Sequence, residues 1–244
     1  MDTAAGKPVK PTGHRAYGST PHLPGSRLGP GDRHIHAGQA RILTERVRDH
    51  RDRVIVTEKL DGSCVAIARL DDDLIPLVRA GYPAVTSPYS MHKLFDAWVR
   101  RRRDRFMDTL RHGERVVGEW LIQAHGTRYA ISRADDLFVP FAFFEGTRRL
   151  PHDDARRRFA DMSVRGVAVV SDGPAISAVE ALNRLGDGMH GAIDPVEGAV
   201  WVCERDGEFS FIAKHVVAEK VDGKYLPQIS GADPVWNFST EELS

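Results

Sequence analysis

The sequence predicts an α+β fold built on antiparallel β-sheets flanked by helices. Two observations lead there. Short β-branched runs recur between Asp-Gly and Asp-rich turns, and segments with a helical apolar period interrupt them. A chain of 244 residues with 41% hydrophobic content can bury one substantial core. Lys plus Arg and Asp plus Glu both number 34, so attraction to nucleic acid must come from local clusters of charge. Cys64 and Cys203 are the two cysteines, too few for a structural thiolate zinc site or a disulfide framework. The first residues lack an apolar signal core, and no run approaches the roughly 20 apolar residues that span a bilayer. A soluble, cytoplasmic protein is expected.

Residues 1–36 are dense in Gly, Pro, Ser and His, a composition of turns and extended backbone, with Tyr17 and Leu23 able to hold this leader against the domain. Ala40, Ile42, Leu43 and Val47 then predict a surface helix over 37–51. Residues 54–57, 64–70 and 74–79 read as three strands of one antiparallel meander. Met91, Leu94, Phe95, Trp98, Met107 and Leu110 form a helical stripe, with Ser87 or Ser90 as cap and Gly113 as stop. Strands follow at "RVVGEWLIQ" and "DLFVPFAFFE", then helices at "HDDARRRFADM" and "AISAVEALNRLG". A final hairpin joins "VEGAVWVCER" to "EFSFIAKHVV" through Asp206 and Gly207. The main domain is expected over 37–226, followed by a short tail over 227–244.

One phrase occurs twice: "EKLDG" at 58–62 and "EKVDG" at 219–223. A lysine at a strand end before a tight Asp-Gly turn suits nucleophilic work, because partial burial or nearby cations lower its pKa. The plainer reading is a surface lysine before a turn, and KxDG arises by chance about once in twenty chains of this size at average composition. Context separates the copies. Strand-like segments hold the first on both sides, whereas Pro and Gly follow the second.

Further along come "GEW" at 118–120, "FAFFE" at 141–145, "EGAV" at 197–200 and "AKHV" at 213–216. With these motifs in order from about residue 54 to 214, the chain resembles the covalent nucleotidyltransferases, the superfamily of polynucleotide ligases and messenger-RNA capping enzymes. Within it the likeness is to ATP-dependent RNA ligases. The resemblance implies an adenylation domain with a nucleotide groove between its sheets. It implies that Lys59 takes AMP from ATP as a lysyl-adenylate, passes it to an RNA 5′-phosphate, and that a 3′-hydroxyl closes the phosphodiester. It assigns nucleotide contacts to Glu58, Arg79, Glu119, Phe141 and Lys214, and to Glu197 both the nucleotide and a Mg2+ or Mn2+ ion. Glu119 would meet the ribose hydroxyls, Phe141 would stack on the purine unless it is merely core, and Lys214 would steady the phosphates.

Two departures qualify this. The family's KxK pattern is broken by Ile212 before Lys214 and Val216 after it, so Lys214 acts alone or Lys220, Lys224 or a leader arginine supplies the second charge. About thirty residues follow Lys214, too few for an appended OB-fold, and the leader is expected to offer phosphate or RNA-end contacts instead. Arg100, Arg101, Arg102, Arg103 and Arg105, with Arg111 and Arg115, form one basic cluster; Arg148, Arg149, Arg156, Arg157 and Arg158 form another. Each is either an RNA-backbone surface or a solvated face. His34 and His36 alone do not make a metal site. Partners would be RNA ends carrying 5′-phosphate and 3′-hydroxyl, with a kinase or phosphatase to prepare them. Alternatives are a DNA-directed ligase, a GTP-using capping-type enzyme, or a non-catalytic nucleic-acid end-binding module.

Overall fold

The structure, a computed structural model, describes residues 9–243 of the chain. Among these, the strands are β1 (Asp52–Lys59), β2 (Ser63–Leu70), β3 (Asp73–Val78), β4 (Glu114–Trp120), β5 (Phe138–Glu145), β6 (Arg148–Arg149), β7 (Val169–Gly173), β8 (Gly198–Arg205) and β9 (Glu208–Val216). The helices are α1 (Ala37–Thr44), α2 (Ser90–Arg101), α3 (Arg103–Met107), α4 (His152–Asp161), α5 (Ala178–Leu185) and α6 (Pro227–Ser230). The strands form two antiparallel sheets, ordered β7-β1-β8-β9 and β3-β2-β4-β5-β6. The architecture is α+β, as expected.

Period-two alternation decides which face each sheet gives to its helices. Val54 and Val56 of β1 and Ala199, Trp201 and Cys203 of β8 pack under α1 and α5, against Leu43 and Ala181. In the second sheet Val65, Ile67, Val116 and Trp120 meet Phe95, Trp98 and Phe106 of α2 and α3. Each such large apolar side chain gains about 1.5–3 kcal/mol on full burial. The opposite faces, carrying Thr57, Lys59, Val200, Val202, Ile212 and Lys214 on one sheet and Cys64, Glu119 and Phe141 on the other, line a common cleft.

Several local expectations are corrected. The three strands over 54–79 are not one meander: β1 pairs with β7 and β8, whereas β2 pairs with β3 and β4. The chain changes sheets at residues 60–62, so the first phrase is a crossing point instead of a hairpin turn. Gly62 makes the crossing possible, since a Cβ there would lie 2.6 Å from the Trp120 carbonyl oxygen. β7 was not foreseen; its half-exposed "VVSDG" has no clear alternation. α1 stops at Thr44, whose hydroxyl donates back to the Ala40 carbonyl, before the charged run that follows. α2 begins without a side-chain cap, because Ser87 Oγ lies 2.6 Å from His92 Nδ1. The Asp206-Gly207 hairpin has the positive φ angles of a type I′ turn, 54° and 76°.

The two ends are woven into this frame. Lys214 N–H donates to the Pro21 carbonyl and Leu23 N–H donates to the Lys214 carbonyl, so residues 21–23 run beside the free edge of β9. Leu23 is buried in the core under Trp201. At the other end, Asn237 donates to the Leu121 carbonyl at 2.7 Å and accepts from Tyr129 N–H at 3.0 Å, bracing the 121–130 loop. The first eight residues of the leader lie outside the described residues.

Candidate active site

The cleft between the sheets has a volume of about 520 Å³. Lys59, the last residue of β1, enters it from one sheet, and its Nζ donates to Glu197 Oε2 at 2.6 Å. Glu197 directly precedes β8, and Gly198 fixes its backbone: φ is 150°, and a Cβ there would lie 1.9 Å from the His215 carbonyl oxygen. Glu119 comes from β4 of the opposite sheet and accepts the Gly62 N–H at 3.2 Å. Burial opposes the charge on Lys59, but Glu197 and Glu119 outweigh it and hold the ammonium above its ordinary pKa. Burial, opposed by Lys59 and reinforced by Glu197, pushes Glu119 up to about 8. Burial also raises Glu197, with Lys59 opposing it. Lysine and carboxylates are thus a strongly coupled, desolvated set.

The crossing loop is fastened from behind. Asp61 accepts from Gly126 N–H at 2.6 Å, and its own N–H donates to the Tyr129 hydroxyl at 2.9 Å. Its carboxylate also pairs with Lys220, which donates to Thr127 Oγ1 at 2.7 Å. Lys220 is the lysine of the second "EKVDG", buried and outside the cleft walls. Lys224 lies 3.4 Å from Asp194, and Arg27 pairs with Asp222 at 2.7 Å. None of these three stands beside Lys214 as a second cation; within the cleft the cations whose charge reaches it are Lys59 and Arg79.

The structure brings Lys59, Glu119, Glu197, Lys214, Arg79 and Phe141 to one cavity. Glu58 forms part of its wall, but its carboxylate turns away to accept Met189 N–H at 3.0 Å. Arg79, exposed beyond β3, donates to the Gly18 carbonyl at 2.9 Å. Lys214 Nζ lies 3.9 Å from Asp32, and burial together with Lys59 lowers its pKa. Phe141 is the extra residue of a β-bulge: Val117 pairs with Ala142, and Gly118 already with Pro140. The bulge lets Phe138 and Phe143 both face the helices while Phe141 faces the cleft, its ring 5.1 Å from Tyr17 and edge-on. Cys64 also lines the cleft, but burial raises its thiol, so it is no thiolate nucleophile at neutral pH.

Sequence reasoning passed over Asp61 as a cleft residue, and placed Arg149 in a basic cluster and Thr20 in the leader without assigning either to the cleft they line. The signal for Asp61 was present inside "KLDG"; for Thr20 there was only the unusual composition of the leader. Half of the arginines in the basic clusters are ion-paired within the protein. Arg100 pairs with Asp96, Arg102 and Arg105 with Asp135, Arg148 with Glu208, Arg157 with Asp154 and Arg158 with Glu114. Arg115 is not a surface residue; it is buried and donates to the Ala16 and Gly146 carbonyls. Among the described residues, no three His, Cys, Asp or Glu side chains form a cluster able to hold a metal by themselves. No described helix is long and apolar enough to cross a membrane.

Two antiparallel sheets facing each other across a lysine and carboxylate cleft define a domain of the nucleotidyltransferase class. The RNA ligase family model matches residues 52–216, more than half of the sequence, and the chain belongs to that family. A mutant Naegleria gruberi RNA ligase in its apo form is 15% identical with a TM-score of 0.50, the match covering 89% of this chain and 58% of that one. Another mutant of that ligase, with ATP and Mn, is 18% identical with a TM-score of 0.48, covering 69% of this chain and 51% of that one. An archaeal ATP-dependent RNA ligase is 22% identical with a TM-score of 0.46, covering 68% and 43%. At these identities the likeness concerns fold, and the chain spans about half the length of the solved ligases it matches. No curated protein matches.

Proposed function

We propose that this protein is an ATP-dependent RNA ligase that works through a lysyl-adenylate on Lys59. The observation that carries the reading is the position of Lys59, at the end of a strand, inside the cleft and against Glu197. In the first step the neutral amine of Lys59 attacks the α-phosphorus of ATP; a P–N bond forms, the α–β phosphoanhydride breaks, and pyrophosphate leaves. An oxygen of the RNA 5′-phosphate then displaces Lys59, giving a 5′-to-5′ anhydride and returning the amine. Attack by a 3′-hydroxyl on the RNA phosphorus forms the phosphodiester and releases AMP. Three easier steps replace one difficult condensation, the usual gain from covalent intermediates.

The protein's own groups divide this work. Paired with Glu197, Lys59 is charged and not nucleophilic, so the pairing must loosen and a proton depart before attack. Glu197 would hold a Mg2+ or Mn2+ ion, whose charge compensates the phosphates when bound. The donor set fits: a single buried carboxylate suits an ion that takes its remaining ligands from phosphate oxygens and water. Glu119 would accept from the ribose, Phe141 would lie against the purine, and Arg79 and Lys214 would bind phosphate oxygens. The chemistry belongs to a unit spanning 37–226, with the leader and tail as its supports.

Mass spectrometry of the protein after ATP and Mg2+ or Mn2+ tests this. One AMP attached to Lys59 is expected, with none on Lys59→Ala. Labelling by GTP instead of ATP identifies a capping-type enzyme, and adenylation with sealing of DNA ends alone identifies a DNA-directed one. The lone Lys214, flanked by Ile212 and Val216, favours a second reading as an end-binding module; absence of any adenylate, with RNA-end binding retained, selects it.

A further inference from the structure

The leader does more than cover a sheet edge. Ala16 is buried among Ala66, Ala68 and Leu77 of the second sheet, and its carbonyl accepts from Arg115 Nε at 3.0 Å. Tyr17 N–H donates to the Arg79 carbonyl at 3.3 Å. Four residues later the chain is fixed to the first sheet, where the Pro21 carbonyl accepts from Lys214 N–H at 2.9 Å and Leu23 enters the core. Residues 18–20, Gly-Ser-Thr, therefore cross from one sheet to the other at the mouth of the cleft.

This crossing is rich in unused donors. Among the described residues, the N–H groups of Gly18, Ser19 and Thr20 and the hydroxyls of Ser19 and Thr20 have no hydrogen-bond partner. The Gly18 carbonyl is engaged, by Arg79 Nη2, and that bond ties the guanidinium to the strap. Thr20 faces the cavity together with Arg79, Lys214 and Lys59. The carboxylates nearest Lys59, those of Asp61, Glu119 and Glu197, gather around the crossing loop, while Lys214 has Asp32 at 3.9 Å. Lys59 and Arg79 both repel the charge on Lys214, so an anion beside it relieves that repulsion.

We infer that residues 18–20 form, with Arg79 and Lys214, a phosphate-binding strap across the mouth of the cleft. Thr20 lines the cavity beside a guanidinium and an ammonium, with Gly18 and Ser19 exposed next to it, and N–H and hydroxyl donors so placed suit phosphate oxygens. The inference rests on the ligase reading for the two sources of such a group, the pyrophosphate portion of ATP and the 5′-phosphate of RNA. Their chemistry at the strap is the same, and experiment separates them.

The test is calorimetric and needs no catalysis. In a Lys59→Met background, which cannot form the adenylate, binding is measured for inorganic pyrophosphate, for a 5′-phosphorylated oligoribonucleotide and for its 5′-hydroxyl twin. Thr20→Val and Ser19→Pro are then introduced, with thermal unfolding confirming that the anchors at Ala16 and Leu23 hold. Each variant is expected to weaken at least one phosphorylated probe on the order of tenfold or more, Thr20→Val by loss of one hydroxyl donor and Ser19→Pro by loss of an N–H and a hydroxyl, with the 5′-hydroxyl RNA unaffected. Loss for pyrophosphate alone assigns the strap to the leaving group; loss for the 5′-phosphorylated RNA alone assigns it to the RNA end. Unchanged binding of both probes, equal weakening of the 5′-hydroxyl RNA, or no binding of either probe to the parent overturns the inference. Failure of the ligase reading shows separately, as absence of AMP on the unsubstituted protein. Repeating the titrations with Lys59 intact and ATP absent guards against damage from the background substitution.

Discussion

The two copies of one phrase occupy opposite sides of the same loop. Lys59 of "EKLDG" ends a strand and opens into the cleft, its side chain 20% exposed and paired with Glu197. Lys220 of "EKVDG" lies outside the sheets, its side chain 3% exposed, holding Asp61 of the first copy from behind. A lysine in a short motif thus acquires its role from the burial and the carboxylate it meets. One copy faces the cleft, the other braces the loop, and on the proposed function substitutions at the two should separate activity from stability.

The largest effect is expected from Lys59→Ala. The adenylate should vanish from the mass spectrum, while thermal unfolding shifts modestly, because Glu197 can take up a proton once its partner is gone. A loss of stability matching that of a broken buried pair would assign Lys59 a structural role as well.

Lys220→Met should reverse those proportions. Removing one member of a buried ion pair costs about 3–5 kcal/mol, on the order of 10 °C in a chain this long. Adenylation should slow without disappearing, and Lys220→Arg should restore part of it. Complete loss of adenylate in a folded Lys220→Met protein would mean that this lysine, too, takes part in the chemistry.

A smaller effect is expected from Glu119→Gln in pH scans without nucleotide. The folded pKa of Glu119 near 8 stands above its ordinary value of 4.5. Between those values the native state keeps a proton that the unfolded chain has released, so stability falls as pH rises through this window. The Gln variant should flatten part of the decline in Tm, with buried Glu58 and Glu197, raised in the same direction, supplying the rest. An unaltered pH profile would show that Glu119 is already ionised there.

The smallest effects are expected far from either lysine. Arg157→Gln breaks an exposed pair with Asp154, worth about 0–1 kcal/mol, whereas Arg100→Gln removes an exposed guanidinium from the buried Asp96. RNA affinity in a salt titration should change less than about twofold, since these charges are already spent within the protein. A steep loss would return the basic clusters to the RNA interface.

Much of this arrangement was legible in the chain. Alternating apolar residues marked β8 and β9, the stripe of Phe95 and Trp98 marked α2, and flanking strand patterns distinguished Lys59 from Lys220. These are local signals, set by side-chain period and turn chemistry within a few residues. Phe141 was harder, because one extra residue in β5 changes which phenylalanines face the cleft, and no local pattern distinguishes a bulge from regular alternation.

Local sequence was therefore sufficient to identify most of the elements, the buried faces of the regular ones and the loop bearing Lys59, but not β7 or the bulge in β5. The folded arrangement determined that β1 leaves its neighbour in sequence for β7 and β8, that Lys220 reaches Asp61 across 159 residues, and that the leader spans both sheets. The physical reason is that burial and charge pairing act on whatever the completed fold brings within a few ångströms, whereas period and propensity are written along neighbouring residues.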